Sequence, residues 1–239
     1  MTTTAKRDPL KDIIEWDVSN WSRALAFWEK TLRKYDPATA KTLTLGERGG
    51  GISLWLALQG YQVVCTDRDG VQETAKPLHE RYGVAGRIHY ESIDAFHIPY
   101  DNEAFDIVAC KSVIGGLKLN YNDPSTRTLE SQSRALDEIH RVLKPGGCWL
   151  GAENLCGTTV HQWIRKRSKG DKLGWRHLAM QEWPHLLRSF SRYEVSGFGL
   201  LPTKSSREWV NSMSYGINCA LNPLVPQDWN YIAFLKAFK

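Results

Sequence analysis

Short apolar runs rich in β-branched residues alternate with helical runs through the middle of this 239-residue chain. Helices are predicted between the strands, over Ile52–Gln59, Val71–Tyr82 and Thr126–Val142, with a turn at Lys144–Gly147. Strands that alternate with helices form a parallel sheet with right-handed crossovers. The sequence therefore predicts an α/β fold, with helices on both faces of a mostly parallel sheet. The predicted strands are Thr42–Gly46, Tyr61–Thr66, Arg87–Ser92, Phe105–Lys111 and Cys148–Glu153.

The two ends of the chain differ from this middle part. Residues 1–40 are predicted to form an N-terminal helical cap, because Trp16, Trp21 and Trp28 recur at helical spacing. Residues 155–189 have helical patterns, and two last strands follow at Tyr193–Leu200 and Tyr231–Phe238, which gives a seven-stranded sheet. Residues 202–227, between these strands, resemble a long loop that could form a lid over a substrate. We expect a single domain over residues 1–239.

The composition is that of an ordinary soluble protein, with 42% hydrophobic and 24% charged residues. The start, Met1–Ala5, does not resemble a signal peptide, and no apolar run is long enough to cross a bilayer. We therefore expect a cytoplasmic protein with no membrane partner. The five cysteines are scattered and form no CxxC pair, so we predict no disulfide framework and no metal.

A basic run covers Arg165–Lys169, with Lys172 just beyond it, and carries much of the formal charge of +5. The run has two interpretations, a solvated helix end or a docking face for an anionic substrate. No RRM, KH or zinc-finger signature accompanies it. Nucleic acid is therefore an unlikely partner.

The segment that carries the most chemistry is a glycine-rich turn at Gly46–Gly51, which joins the first strand directly to a helix. Glycine allows positive φ and close backbone approach, and the N–H groups at a helix start favour an anionic group. Asp67 ends the next strand, where a carboxylate can accept both hydroxyls of a ribose. A dinucleotide fingerprint fails, because Leu54 occupies the position of its third glycine.

With its neighbouring motifs, this segment resembles the class I S-adenosylmethionine-dependent methyltransferases. Gly46 and Gly50 fall on the first and third glycines of the family's first motif, and Leu56-Ala57 on its closing pair. The later matches are Asp67, Asp94, Phe105–Val108 and Arg141–Gly147, all in order and within about residues 41–154. The resemblance implies a Rossmann-like sheet, S-adenosyl-L-methionine as cofactor and S-adenosyl-L-homocysteine as product. Residues 41–154 would bind the cofactor and residues 155–239 the acceptor.

The same resemblance implies a set of cofactor-binding residues. In the family, the acid at Asp67 holds the ribose and the acid at Asp94 contacts the adenine amino group. The implied set is Gly46, Glu47, Arg48, Gly49, Gly50, Asp67, Arg68, Asp94, Ala95, Lys111 and Ser112.

Two positions depart from the family pattern. Thr44 stands where an acid is usual, and Arg48 stands where the middle glycine is expected. Glu47 could supply the missing carboxylate, and Arg48 could meet the methionine carboxylate. Alternatively, both side chains point to solvent, or the site has lost its ligand.

Methyl transfer depends mostly on positioning, but a hydroxyl acceptor also needs a base to remove its proton. The candidates are His161, His177 and Glu153, the last because it ends the fifth strand and should face the cleft. Lys111 and Ser112 end the fourth strand beside the expected methyl position, although Lys111 could instead form a structural ion pair. Four of the ten tryptophans lie where an acceptor could stack: Trp163, Trp175, Trp183 and Trp209.

The favoured interpretation is a methyltransferase for a small-molecule acceptor, on oxygen rather than nitrogen, in natural-product or saccharide metabolism. A second is an RNA or protein methyltransferase that docks through the basic run. A third is a non-catalytic cofactor-binding scaffold, suggested by Thr44 and Arg48. The protein is expected to be a monomer or a homodimer.

Overall fold

A computed structural model describes residues 9–167 and 175–239. The start of the chain at Met1–Ala5 and part of the basic run, Ser168–Lys172, lie outside the described residues. Within the described ranges, no helix combines the length and the apolar character that crossing a bilayer requires.

Seven strands of the described residues form one sheet in the order β3-β2-β1-β4-β5-β7-β6. Strand β7 is antiparallel to β5 and β6, and the other neighbouring pairs are parallel. This order confirms the predicted Rossmann-like, mostly parallel sheet. The strands are β1 (Lys41–Leu45), β2 (Gln62–Asp67), β3 (Ile88–Ser92), β4 (Phe105–Lys111), β5 (Leu143–Asn154), β6 (Arg192–Phe198) and β7 (Ile232–Phe238).

Alternate strand residues enter two separate cores, one on each face of the sheet. In β4, Ile107 and Ala109 pack with the N-terminal helices α1–α5, while Val108 and Cys110 pack with α6 and α8. The helices therefore cover both faces, as predicted. They are α1 (Pro9–Ile14), α2 (Val18–Trp21), α3 (Arg23–Leu32), α4 (Gly51–Leu58), α5 (Gln72–Arg81), α6 (Leu129–Val142), α7 (Thr159–Arg167), α8 (Trp183–Leu186) and α9 (Glu208–Leu221).

The N-terminal cap is three short helices rather than one long one. Glu15 and Asp17 have φ values of 70° and 49°, which lie outside the helical region and separate α1 from α2. The breaks allow Ile14, Trp21 and Trp28 to reach the same core from different helices.

Two other expectations were wrong in detail. Residues 202–227 are not a structureless loop, because they contain the 14-residue helix α9. Its pattern was missed because the residues that it buries, Ser214 and Asn218, are polar. The predicted turn at Lys144–Gly147 is a bulge inside β5, where five residues of β5 span the same distance as two residues of β4.

Candidate functional site

A cavity of about 880 Å³ lies at the carboxyl ends of β1, β2 and β4. Its volume is in the upper part of the roughly 300–1,000 Å³ range of small-molecule sites. We call the part formed by residues 45–121 the sheet end, and the part formed by residues 154–231 the insert end. Predicted residues that line the cavity are Gly46, Glu47, Arg48, Asp67, Arg68, Ala95, Lys111, Ser112, His161 and His177. Gly49, Gly50, Asp94 and Glu153 do not line it.

The glycine-rich turn has the close packing that glycine permits. Gly46 has a φ of +66°, and a Cβ there would lie 2.6 Å from the Val113 side chain. Gly50 has a φ of +79°, and a Cβ would lie 2.6 Å from Ala75. Arg48 also adopts a positive φ, 38°, in the place where the family has a glycine. The turn therefore has a positive φ at Gly46, Arg48 and Gly50 without its middle glycine, and Arg48 lines the cavity.

Thr44 and Glu47, at the start of the glycine-rich turn, both contact the first turn of α4. The Thr44 hydroxyl is fully buried and lies 2.6 Å from the Ser53 hydroxyl. Glu47 Oε2 accepts hydrogen bonds from the N–H groups of Ile52 (3.1 Å) and Ser53 (3.2 Å), in the first turn of α4. These two N–H groups are therefore satisfied by the chain itself, contrary to the expectation that the helix start is unpaired.

Burial raises the pKa of Glu47 to about 8, although the two N–H groups and the Lys111 ammonium act in the opposite direction. A carboxyl group in this state gains from a cation placed beside it, because the cation restores the ionised form. Glu47 also lines the cavity, together with Lys111.

Asp67 is oriented by backbone contacts at the end of β2. Its Oδ2 accepts from the Arg48 N–H (3.2 Å), and its Oδ1 accepts from the Asp69 N–H (3.2 Å). Arg68 pairs with the Asp69 carboxylate at 2.7 Å and lies over the Tyr121 ring at 3.7 Å. Asp67 thus presents a fixed acceptor at the rim of the sheet end.

Asp94 lies behind the wall of the cavity. Its Oδ1 accepts from the Phe96 N–H (3.0 Å) and from the Tyr121 hydroxyl (3.2 Å), while Ile93, Ala95 and Tyr121 themselves line the cavity. Asp94 therefore holds the Tyr121 ring in position beside Ala95.

Lys111 joins the N-terminal cap to the sheet end. Its Nζ donates to the Ile14 carbonyl (3.0 Å), lies 3.6 Å from the Glu15 carboxylate and sits 3.2 Å from the centre of the Trp16 ring. Burial lowers the pKa of Lys111 to about 8, although Glu15 and Glu47 favour its charged form. The ion pair that was one of the two expectations for Lys111 is present, in a residue that also lines the cavity.

Glu153, a candidate base, is fully buried next to the turn after β4. Its carboxylate accepts from the N–H groups of Val113 and Ile114 (both 2.8 Å) and of Gly115 (3.4 Å). Burial raises its pKa to about 7, against the effect of these three N–H groups. The expectation that Glu153 faces the cleft was wrong, because its backbone partners lie inside the protein. The neighbouring Asn154 lines the cavity and donates to the Ser112 hydroxyl at 2.7 Å.

His161 lines the insert end, but both of its ring nitrogens are engaged. Nδ1 accepts from the Thr158 N–H (3.1 Å), so the proton is on Nε2, which donates to the Leu200 carbonyl at 2.7 Å. Burial lowers the pKa of His161. The ring is therefore held neutral and oriented between two segments of the chain.

His177 also lines the insert end, within a short segment fixed on both sides. Its carbonyl accepts from the Cys156 thiol (3.1 Å). Arg176 donates to the Gly115 carbonyl through its N–H (2.9 Å) and pairs with Glu182 through its guanidinium. Trp175 packs on Gly116, where a Cβ would lie 2.8 Å from the indole. These contacts fix the segment that carries His177 beside the turn that follows β4.

A buried polar network joins the cap to the insert end. The Asp17 carboxylate accepts from the hydroxyls of Tyr231 and Thr203 (both 2.5 Å) and from the Thr203 N–H (2.8 Å). Asn20 donates to the Tyr231 hydroxyl at 2.6 Å. The sequence analysis missed this network, because Asp17 is 186 positions from Thr203 and 214 from Tyr231, and no local motif connects them.

The tryptophans that line the cavity are not the ones that were expected to do so, except for Trp175. Of the four assigned to the acceptor region, Trp175 lines the cavity, Trp163 and Trp209 are exposed, and Trp183 is buried against Trp149. Trp16 and Trp21, from the cap, line the cavity as well. Aromatic rings from both ends of the chain therefore surround the same space.

Among residues 9–167 and 175–239, no group of three or more His, Cys, Asp or Glu side chains is placed to hold a metal ion.

Comparison with known proteins gives consistent results. The family model described as a methyltransferase domain matches residues 43–150. An uncharacterized methyltransferase of Bacillus subtilis, YodH, is 28% identical over 79% of this chain and 76% of its own length. A demethylmenaquinone methyltransferase of Leptospira interrogans is 35% identical over 48% of this chain and 43% of its own length. The second match thus spans less than half of that relative.

The fold recurs in solved structures. The phosphoethanolamine N-methyltransferase 2 of Haemonchus contortus, in complex with S-adenosyl-L-methionine, superimposes with a TM-score of 0.64. The match covers 97% of this chain and 56% of that chain, at 17% sequence identity. At this identity the likeness concerns the fold alone.

Proposed function

The chain belongs to the class I S-adenosylmethionine-dependent methyltransferases, and from this premise we propose that it transfers the methyl group of S-adenosyl-L-methionine to a small-molecule acceptor. The observation that carries the proposal is one cavity of about 880 Å³. Its sheet end is lined by Gly46, Glu47, Asp67 and other residues that the resemblance implies for the cofactor, and its insert end is lined by histidines and aromatic rings. One space thus offers room for a cofactor and an acceptor together.

The residues of the sheet end fit the cofactor. Asp67, already oriented by two N–H groups, would accept the ribose hydroxyls. Glu47 would hold the methionine ammonium, because its buried carboxyl group gains from a cation. The Ile93 and Ala95 side chains and the Tyr121 ring offer an apolar surface to the adenine.

The sulfonium cofactor would supply an electrophilic methyl group, so the chain mainly has to position the acceptor and receive its proton. His177 is the base that we propose, because it lines the insert end of the cavity. Glu153 is less suited to this role, since it does not line the cavity, and His161 links Thr158 to Leu200. A base in this position favours an oxygen acceptor, whose proton must leave, over an amine.

The test is calorimetric titration with S-adenosyl-L-methionine and S-adenosyl-L-homocysteine, with NAD as the control ligand. We expect micromolar binding of both adenosyl ligands and none of NAD. Asp67→Ala should weaken binding at least tenfold, because two oriented acceptor atoms for the ribose are lost.

Asp69→Ala is the matched control. Asp69 lies two residues after Asp67 on the same rim, but its carboxylate is exposed and forms an ion pair with Arg68. We therefore expect less than about a threefold change in cofactor affinity. A folded wild-type protein that binds neither adenosyl ligand would refute the proposal. Cofactor binding without turnover on any acceptor, in a screen of phenols, sugars and amines, would favour a non-catalytic scaffold instead.

A further inference from the structure

The two ends of the cavity differ in charge. Among the described residues that line the insert end are two cations, Arg165 and Lys204, and no Asp or Glu. The sheet end and the cap, in contrast, line the cavity with both signs: Arg48, Arg68 and Lys111 beside Glu15, Glu47, Asp67 and Asp69. In the described part of the chain, the insert end is therefore the part of the cavity where positive charge has no acidic counterpart in the lining.

Arg165 is held in position at this end by the backbone. Of the described residues of the basic run, Arg165–Arg167, it alone lines the cavity. Its Nη1 donates to the carbonyls of Leu155 (2.7 Å) and Cys156 (2.9 Å). His161, one helical turn earlier in α7, lines the same cavity. Burial lowers the pKa of His161, and so does the positive charge of Arg165, although a backbone hydrogen bond acts in the opposite direction.

Lys204 lies on a segment, residues 200–204, that three other parts of the chain fix. Among the described residues, Lys204 forms no ion pair, and its side chain lines the cavity. The fixing contacts are His161 of α7 with the Leu200 carbonyl (2.7 Å), Asp17 of the cap with the Thr203 N–H (2.8 Å) and Asn218 of α9 with the Leu201 N–H (2.9 Å).

Asp17 is bonded to this segment but does not line the cavity. It is buried, and its oxygens accept from the hydroxyls of Tyr231 and Thr203. Tyr231 does line the cavity, so a ligand at the insert end meets its side chain and not the Asp17 carboxylate. The charge of Asp17 reduces the positive excess but does not remove it, since two cations line this end.

The other described acids of residues 154–231 lie outside the cavity lining and have partners of their own. These partners are Arg176 for Glu182, Lys236 for Glu194, Lys11 for Glu208 and Gln181 for Asp228. None of the four contacts Arg165 or Lys204 in an ion pair. The cations of the insert end therefore act on the space inside the cavity.

An anionic acceptor complements this end of the site. A cleft lined by one sign of charge attracts ligands of the opposite sign. A guanidinium matches the geometry of a carboxylate or a phosphate, and an ammonium group binds either as a point charge. The cofactor of the proposed reaction carries a sulfonium cation, so an anionic acceptor is attracted by the cofactor as well.

We propose that the acceptor carries an anionic group, a carboxylate or a phosphate, which Arg165 and Lys204 bind. Trp175 and Tyr231 line the same end, so a flat body attached to this group can pack against their rings. The inference rests on the proposed function, because it names the class of its acceptor. It extends the interpretation of the basic run as a docking face for an anionic substrate, but places only Arg165 at the site.

The test compares anionic and uncharged ligands of the same shape, by calorimetry on the full chain with and without saturating S-adenosyl-L-homocysteine. The probes are para-hydroxybenzoate, para-hydroxyphenyl phosphate and the uncharged para-hydroxybenzamide. At least one of the two anions should bind about tenfold more tightly than the amide, and the tighter of them identifies the anionic group. Added salt should weaken the binding of that anion and leave the binding of the amide unchanged.

Variants locate the anionic group. Lys204→Gln should weaken binding of the anion about threefold to fivefold, the range of an exposed ion pair, without affecting the amide. Arg207→Gln is the matched control: it removes the same charge from the same stretch of chain outside the cavity lining, and should change affinity less than about 1.5-fold. Arg165→Gln should lower the ratio of anion to amide affinity about tenfold, a ratio that a purely structural loss would not change.

The outcomes separate this inference from the proposed function. A wild-type protein that does not bind S-adenosyl-L-homocysteine refutes the proposed function, and the titrations without that ligand still measure whether the cavity selects anions. The inference is overturned if the amide binds as tightly as both anions, or if neither anion binds the wild type. It is also overturned if Lys204→Gln and Arg207→Gln weaken anion binding equally.

Discussion

At the sheet end of the cavity, the Glu47 and Asp67 carboxylates accept hydrogen bonds from backbone N–H groups 2 to 19 positions away, whereas the insert end is held by side chains from distant parts of the chain. Asp67 bonds to Arg48 and Asp69, and Glu47 to Ile52 and Ser53. By contrast, the Asp17–Tyr231 bond joins residues 214 positions apart. The contacts of Glu47 and Asp67 at the sheet end thus form within the first two strands and the turns that follow them. The insert end, in contrast, depends on correct docking of the cap, α7 and α9.

The largest expected effect is a loss of stability on substitution of Glu153, whose carboxylate accepts hydrogen bonds from the turn after β4. Glu153→Ala would leave three buried N–H groups after β4 without an acceptor, and should lower the free energy of unfolding by about 3 kcal/mol or more. Urea denaturation measures the loss. Glu153→Gln keeps one acceptor oxygen and should lower the free energy of unfolding by less than Glu153→Ala does. Equal stability of Glu153→Ala and the wild type would show that the turn does not need this acceptor.

The two histidines of the insert end should separate into a catalytic and a structural one. His177→Gln should lower kcat about 100-fold, as expected for loss of a general base, with little change in cofactor affinity. His161→Gln should lower kcat less than tenfold but reduce stability, because its ring links Thr158 to Leu200. The exposed His185→Gln serves as the control. Similar kcat losses in both cavity variants would contradict the assignment.

The network between the cap and the insert end is tested by Tyr231→Phe. Removing the hydroxyl deprives the buried Asp17 carboxylate of one donor, which should cost about 2 kcal/mol. Tyr35→Phe is a suitable comparison, since its hydroxyl donates to the exposed Gly146 carbonyl and should cost about 0.5 kcal/mol. Both are measured by urea denaturation, and equal costs would mean that the long-range network is no stronger than a surface contact.

The smallest effect is on the pH dependence of cofactor affinity. The Glu47 carboxyl, with a pKa of about 8, is protonated below that pH in the protein without ligand, and an ammonium group favours the ionised form. Binding of S-adenosyl-L-methionine should therefore release a proton, and affinity should fall by up to about tenfold as the pH drops from about 8 to 6.5. Lys111, with a pKa of about 8, gains charge over the same range and acts in the same direction on a cationic ligand.

Calorimetry in buffers of different ionisation enthalpy measures the released proton. Glu47→Gln should show a flatter pH dependence, and comparison with this variant removes the titration of the ligand itself. The same slope in both proteins would exclude Glu47 as the group that meets the ammonium.

The sequence by itself determined the sheet, the order of its motifs and most of the sheet end. Strand residues alternate between two cores, and the positions of Gly46 and Asp67 follow from the ends of β1 and β2, so local patterns contain this information. The pairing of Thr44 with Ser53 and the hydrogen bonds of Glu47 to the start of α4 are also local, but the sequence analysis predicted neither.

Only the tertiary structure decided which candidates share the cavity. Glu153 and Asn154 are neighbours in β5, yet the first caps a buried turn and the second lines the cavity, because successive strand residues face opposite sides of the sheet. Helix α9 escaped prediction for a related reason, since its inner face is polar and Asn218 is buried through hydrogen bonds with segments that the sequence does not bring near. Hydrophobic periodicity predicts elements that bury apolar faces, and it cannot predict contacts that hydrogen bonds make between distant residues.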